Sequence, residues 1–183
     1  MQDEPPVVVL RWGHRPGRDD RMTTHVGLTA RALGADRVVF PGNASDAVET
    51  TRDITNRFGG PFDVVTTDSP GGFLRDFAGT VVHLTMYGER IQGVIDTVRE
   101  AHRQEPTLVV VGSEKVPFDV YEEANWNVAV TNQPHSEVAS LGVFLDRLFD
   151  GRELDRSWEN ATHRVIPHKR GKRVERTESQ DAR

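Results

Sequence analysis

Apolar and polar positions follow two regimes along this chain. Uninterrupted apolar runs, VVVL at 7–10 and LVVV at 108–111, suit strands buried on both faces of a parallel sheet. Elsewhere the apolar positions recur every three or four residues, as one face of a helix requires. On that reading strands cover 7–10, 37–40, 62–67, 80–86, 108–111 and 127–131. Helices cover 24–33, 46–58, a short 73–77, 89–102 and a short 120–124. A last, long helix carries Val138, Leu141, Leu145 and Leu148 on one face. Gly34 stops the first helix, Ser45 is the expected N-cap of the second, and Gly59-Gly60 follows it. Strand and helix alternate nearly to the end, which predicts an α/β fold with a mostly parallel sheet and helices on both faces.

That pattern assigns residues 1–150 to one α/β domain. Residues 151–176 form a basic C-terminal extension packed on the same domain or on a dimer, and 177–183 a polar, disordered tail. Within the extension, Val165-Ile166 and Val174 around Pro167 and Gly171 suit a small hairpin or an edge strand. The net charge of -5 conceals an asymmetry. Residues 163–176 hold six Lys/Arg and one Glu, so an acidic body carries a basic end suited to a polyanionic partner. Lys169, Arg170, Lys172 and Arg173 are the candidate contacts to such a partner. No apolar run reaches the roughly 20 residues of a membrane span. The acidic start MQDEPPVVVL is not a signal peptide, and no cysteine is present. A cytoplasmic protein without thiol chemistry is expected, and no histidine spacing predicts a metal site.

Two loops stand out, expected side by side at the carboxyl ends of neighbouring strands, where open α/β sheets bind ligands. One is Gly112, Ser113, Glu114, Lys115, Val116 and Pro117; it lacks the spacing of a phosphate loop. The other, Asn132, Gln133, Pro134, His135, Ser136 and Glu137, opens the last helix, so its backbone amides favour an anionic group. Its amides can also read a purine edge, or Ser136 or Asn132 simply caps the helix. A third segment, His83 to Gly88, ends another strand at the same edge, with Met86 and Tyr87 able to pack on a flat ring. After the first strand, the run RWGHRPGRDDR reads as a flexible basic loop in which Arg15, Arg18 and Arg21 suit phosphate contacts. His25 on the first helix is a candidate base near neutral pH.

Together VVLRWGHRPGRDDRMTTHVGLTARALGA, HLTMYGERIQGVIDTVR, VVVGSEKVP and VAVTNQPHSEVASLGVFLDRL resemble the archaeal tRNA cytidine-56 2′-O-methyltransferases of the SPOUT superfamily. The resemblance spans residues 7–176. It implies S-adenosylmethionine as methyl donor, a cytidine ribose in the tRNA T-loop as acceptor, a deep C-terminal trefoil knot, and a homodimer with sites near the subunit interface. It places cofactor contacts on Leu84, on Gly112, Ser113, Glu114, Lys115 and Val116, and on Val130, Thr131, Asn132, Gln133, Pro134, His135, Ser136 and Glu137. It makes Arg31 the counterpart of a catalytic arginine, with His25 the competing base. Other readings to test are a non-catalytic RNA-binding module, another RNA specificity within the superfamily, and a flavodoxin-like nucleotide-binding regulator.

Overall fold

The computed structural model describes residues 4–177. Six strands form one sheet: β1 (Val7–Trp12), β2 (Arg37–Pro41), β3 (Asp63–Thr67), β4 (Thr80–Arg90), β5 (Thr107–Gly112) and β6 (Trp126–Ala129). Their order is β3-β2-β1-β5-β4-β6, and every pairing is parallel. The helices are very unequally shared between the faces. Val7, Val9, Val38, Phe40, Val109 and Val111 pack under the long helices α1 (Asp20–Ala32), α2 (Ser45–Phe58), α4 (Ile91–His102) and α6 (Glu137–Phe149). Val8, Leu10, Val39, Leu108 and Val110 face only the short helices α3 (Pro70–Arg75) and α5 (Phe118–Glu123), through Leu74 and Val120. Both faces of β1 and β5 are therefore dry, which is why those strands read as unbroken apolar runs.

Four expectations change. β5 and β6 are not neighbours, because β4 runs between them and pairs with both. Helix α1 begins at Asp20, four residues early. Backbone bonds from Asp19 to the Arg15 carbonyl and from Thr23 to the Asp19 carbonyl wind the chain into it, in a polar stretch with no apolar period. Ser45 is the first residue of α2, whose N-cap Ala44 makes no side-chain bond. Strand β4 continues to Arg90, so α4 starts at Ile91.

The chain after α6 makes a short 3-10 turn at Arg152–Asp155 and then a hairpin of β7 (His163–Ile166) and β8 (Arg173–Arg176), paired antiparallel. The tail expected to be disordered lies, from 178 on, outside the described residues. No described helix is long and apolar enough to cross a membrane.

Helices α1 and α2 and strand β2 meet at Gly27. A Cβ there would stand 2.6 Å from Phe40 Cζ and 2.7 Å from Thr51 Oγ1, and both of those residues are fully buried. Two effects compete in Gly27→Ala. Alanine gains about 1 kcal/mol of helix propensity, while overpacking costs about 1–3 kcal/mol. With two contacts inside 3.0 Å the overpacking wins, so urea denaturation should show a lower midpoint than wild type. A raised midpoint would mean that the contact relaxes freely.

Candidate active site

Strands β5, β4 and β6 deliver three loops to the carboxyl edge of the sheet. The middle one is an excursion. Leu84 and Glu89 both pair with Val128, so the chain leaves the sheet after Leu84 and rejoins it at Glu89. Residues 85–88 stand out from the edge, and Gly88 is required because a Cβ there would collide with the Asn127 carbonyl. The first loop turns sharply, since a Cβ on Gly112 would lie 2.5 Å from Val116 Cγ2. Gly112 therefore serves the loop's own fold. Between the loops lies a cleft of about 880 Å³ lined by Leu84, Met86, Tyr87, Gly112, Ser113, Glu114, Lys115, Val116, Phe118, Pro134, His135 and Glu137, with His83, Tyr121 and Ser140 behind.

Arg11, read from sequence as part of the basic loop, is instead the most deeply buried large side chain of the edge, at 0% exposure. Its Nη1 donates to the Gly112 carbonyl at 3.1 Å and its Nη2 to Glu137 Oε1 at 3.1 Å. One guanidinium thus joins the first loop to the first turn of α6. Burial pushes its proton affinity down, and the Glu137 carboxylate opposes that shift. Arg15 continues the tie. It holds Asp19 through Nε at 2.8 Å and Nη2 at 2.9 Å, reaches the Ser113 carbonyl at 3.1 Å, and pairs with Glu114 at 3.3 Å. The hydrogen bonds from Arg15 hold the Asp19 carboxyl down to about 2.

His83 forms the cleft's inner wall. Asn127 Nδ2 donates to the Tyr121 carbonyl at 2.9 Å, which orients the Asn127 amide so that its Oδ1 faces His83 Nδ1, also at 2.9 Å. That orientation makes Nδ1 the protonated nitrogen and leaves a lone pair on Nε2. Burial pushes the His83 pKa down, so the ring is neutral near pH 7. The Tyr121 ring meets it edge-on at 4.6 Å. Sequence reading had the His83 segment but neither this histidine's role nor Phe118 and Tyr121, whose only signal was being aromatic in a spacer.

The expected site residues divide. Leu84, Gly112, Ser113, Glu114, Lys115, Val116, Pro134, His135 and Glu137 share the cleft. Val130, Thr131, Asn132 and Gln133 line a neighbouring cavity of about 690 Å³ with Arg90, Gln92 and Gly93. Asn132 separates the two, donating from Nδ2 to the Met86 carbonyl at 2.8 Å and the Gly88 carbonyl at 3.0 Å. Ser136 caps α6 by accepting from the Val138 amide. Arg18 and Arg21 are exposed, as are Lys169, Arg170, Lys172 and Arg173 on the hairpin, with Arg173 paired to Glu175. His25 is exposed on α1 and lines none of these cavities.

Arg31 lies elsewhere. It sits in the last turn of α1, eleven residues or about 16 Å along the axis from the end that abuts the cleft loops. Its guanidinium is buried, donates from Nη2 to the Gly59 carbonyl and stacks on the Trp158 ring. Burial, and behind it the like charge of Arg156, lower its proton affinity. Among the described residues no cluster of three metal-ligating side chains occurs.

Breaking a buried ion pair by removing one partner costs about 3–5 kcal/mol, whereas replacing both members by apolar groups can be neutral. Glu137 is partly exposed, so the lower end applies. Arg11→Met should therefore lower unfolding free energy by about 3 kcal/mol in urea. The double variant Arg11→Met/Glu137→Leu should recover most of that loss, and strictly additive losses would show that the pair is not coupled.

The model of the family described as tRNA ribose 2′-O-methyltransferase, aTrm56, matches residues 58–175. The tRNA (cytidine(56)-2′-O)-methyltransferase of Halobacterium salinarum is 68% identical over 181 residues, covering 99% of this chain and 94% of the relative. That of Natronomonas pharaonis is 70% identical over 175 residues, covering 96% and 97%. Among solved structures, the SpoU methyltransferase AviRb from Streptomyces viridochromogenes in complex with AdoMet aligns with a TM-score of 0.55 at 17% identity, over 83% of this chain and 59% of that one. That likeness speaks for the fold, and the match across more than half of the chain, with identity along nearly all of it, speaks for the lineage. The chain belongs to the Trm56 family of tRNA ribose 2′-O-methyltransferases.

Proposed function

We propose that this chain is an S-adenosylmethionine-dependent methyltransferase that modifies the ribose 2′-hydroxyl of cytidine 56 in the tRNA T-loop, in the cytoplasm. The observation that carries the reading is the 68–70% identity to proteins of that activity over almost the whole chain. The cleft fits the methyl donor. Its volume of about 880 Å³ is of drug-size class, and its wall combines Leu84, Met86, Val116 and Pro134 with the backbone of the first loop. S-adenosylmethionine supplies a methyl group on a positive sulfur, an electrophile open to in-line attack by oxygen. Leu84, Gly112 and Val116 would hold its flat ring, and the Glu114 and Glu137 carboxylates, each already paired with an arginine, would lie among its polar contacts. Residues 130–133 would close the site from the side of the neighbouring cavity.

The reading includes a deep trefoil knot in the C-terminal part of residues 1–150. Asn132 fixes its segment against the excursion at 85–88 through two bonds. It also includes a homodimer. Arg31 can serve a cleft only if a second copy brings it there, because in its own chain α1 carries it away from the carboxyl edge. There the guanidinium positions the ribose hydroxyl and stabilises its oxygen as the proton passes to water. His25, though exposed, stands nearer the cleft and is the alternative proton acceptor. Arg18 and Arg21, with Lys169, Arg170, Lys172 and Arg173 of the extension at 151–176, would contact tRNA phosphates. Arg15 contributes to the site by fixing the Ser113–Glu114 turn.

A tRNA transcript should accept one methyl group at cytidine 56, and a transcript with 2′-deoxycytidine there should accept none. Methylation of the deoxy substrate would move the target to the base. The dimer has its own test in mixed subunits. Arg31→Ala and Gly112→Val should each be inactive alone. After unfolding and refolding together they should regain about a quarter of wild-type activity, since half the dimers hold one intact composite site. No regained activity would place Arg31 and the cleft in the same chain or outside the reaction.

A further inference from the structure

A groove of about 1120 Å³ runs between the end of α1, the end of α2 and the chain from Arg156 to Val165. Arg31, Arg156 and Arg164 line it with His163, and among the described residues no acidic one does. None of the three arginines has a carboxylate within ion-pair distance among the described residues. At its floor the Trp158 ring carries two guanidiniums. Arg31 Cζ lies 4.2 Å from the ring centroid and Arg156 Cζ 5.1 Å.

We propose that Trp158 is a positioning residue for Arg31, holding its guanidinium at the floor of a groove that receives the RNA beside the target ribose. The proposal rests on the reading of Arg31 given above. Docking of the segment does not need the indole. The backbone of Glu159 pairs with Gly60 through two bonds of 2.9 Å. Gly59 permits that approach, since a Cβ there would stand 2.7 Å from the Glu159 carbonyl. Arg156 adds its own anchors, donating to the Ala35 carbonyl at 3.2 Å and the Pro61 carbonyl at 3.1 Å.

The indole's own work is on Arg31. That guanidinium is buried, with a single carbonyl partner through Nη2 and no partner for Nε. A buried cation so poorly satisfied is costly unless something else stabilises it. The negative face of an indole does so, without neutralising the charge or occupying the donors as a carboxylate would. Nε is buried, so Nη1 is the donor left for an RNA oxygen. A carboxylate partner would compete with phosphate, and among the described residues none lines the groove.

The test contrasts Trp158→Phe with Trp158→Leu, which keep comparable apolar bulk but differ in having a π-face. Single-turnover methyl transfer is measured with tRNA and S-adenosylmethionine saturating, and S-adenosylmethionine affinity by calorimetry. The Phe variant should run within about threefold of wild type and the Leu variant about tenfold slower than Phe, as loss of a desolvated cation–π contact implies. Both should bind S-adenosylmethionine within about twofold of wild type, because the groove is not the cleft. Equal rates in the two variants would overturn the proposal. If either fails to fold, seen as lost cofactor binding, Trp158→Tyr against Trp158→Met repeats the contrast. Arg31→Ala in the same assay keeps the two readings apart. Full activity there removes the role of Arg31, whereas an inactive Arg31→Ala beside equal Phe and Leu variants removes only that of Trp158.

Discussion

A charged side chain with no access to water holds the edge of the sheet together. Arg11 sits at the end of β1 with its guanidinium between the last carbonyl of β5 and the first carboxylate of α6. Such a group is tolerable only when both partners are in place. They lie 101 and 126 residues away along the chain, so the clamp closes only after the sheet has its order and α6 has docked. The walls of the cleft are thereby made conditional on the whole fold. Arg15, with Asp19 and the Ser113 carbonyl, applies the same logic one turn further out. The region that composition presents as a cationic surface loop is largely internal scaffolding, and its free charge is reduced to Arg18 and Arg21.

What could be read in advance follows from where the physics is local. β1 and β5 were legible because burial on both faces leaves no polar residue to interrupt them, and α4 because its buried positions Ile91, Val94, Ile95 and Val98 recur at helical spacing. The order of parallel strands is not local, so nothing near β5 or β6 announces that β4 separates them. Nor does Glu89-Arg90 look like a strand, although both residues pair with β6 after the excursion. Arg11 was misjudged for the same reason. A cation among glycines and a histidine reads as solvated until the carboxylate that pays its desolvation is known. The residues that the resemblance names divide between two cavities, with Leu84 and the first loop lining the cleft and segment 130–133 facing its neighbour.

The two ends of the proposed reaction sit at opposite ends of α1. The cleft proposed for the methyl donor adjoins its first turn, where Met22 approaches Ser136, and Arg31 occupies its last turn under Trp158. A rigid helix cannot bring its own ends together, so a chain that needs both must be met by another chain. This separation is a stronger argument for a second copy than exposed apolar area would be, because it follows from the rise of a helix rather than from a threshold on surface.

The same separation bears on how the proton leaves. Arginine ordinarily keeps its proton far above neutral pH, so a role as base must be balanced against one as a fixed positive donor. Burial and Arg156 both lower its affinity for that proton. Yet the donor from Arg31 to Gly59 and the stack on Trp158 use the cationic form. The groove thus favours a guanidinium that stays charged and stationary. In-line alignment of hydroxyl and methyl is worth more than any single proton transfer, since well-oriented reactants can gain about 7–11 kcal/mol. In the proposed reaction Arg31 would serve that alignment best by not moving, held by the indole beneath it.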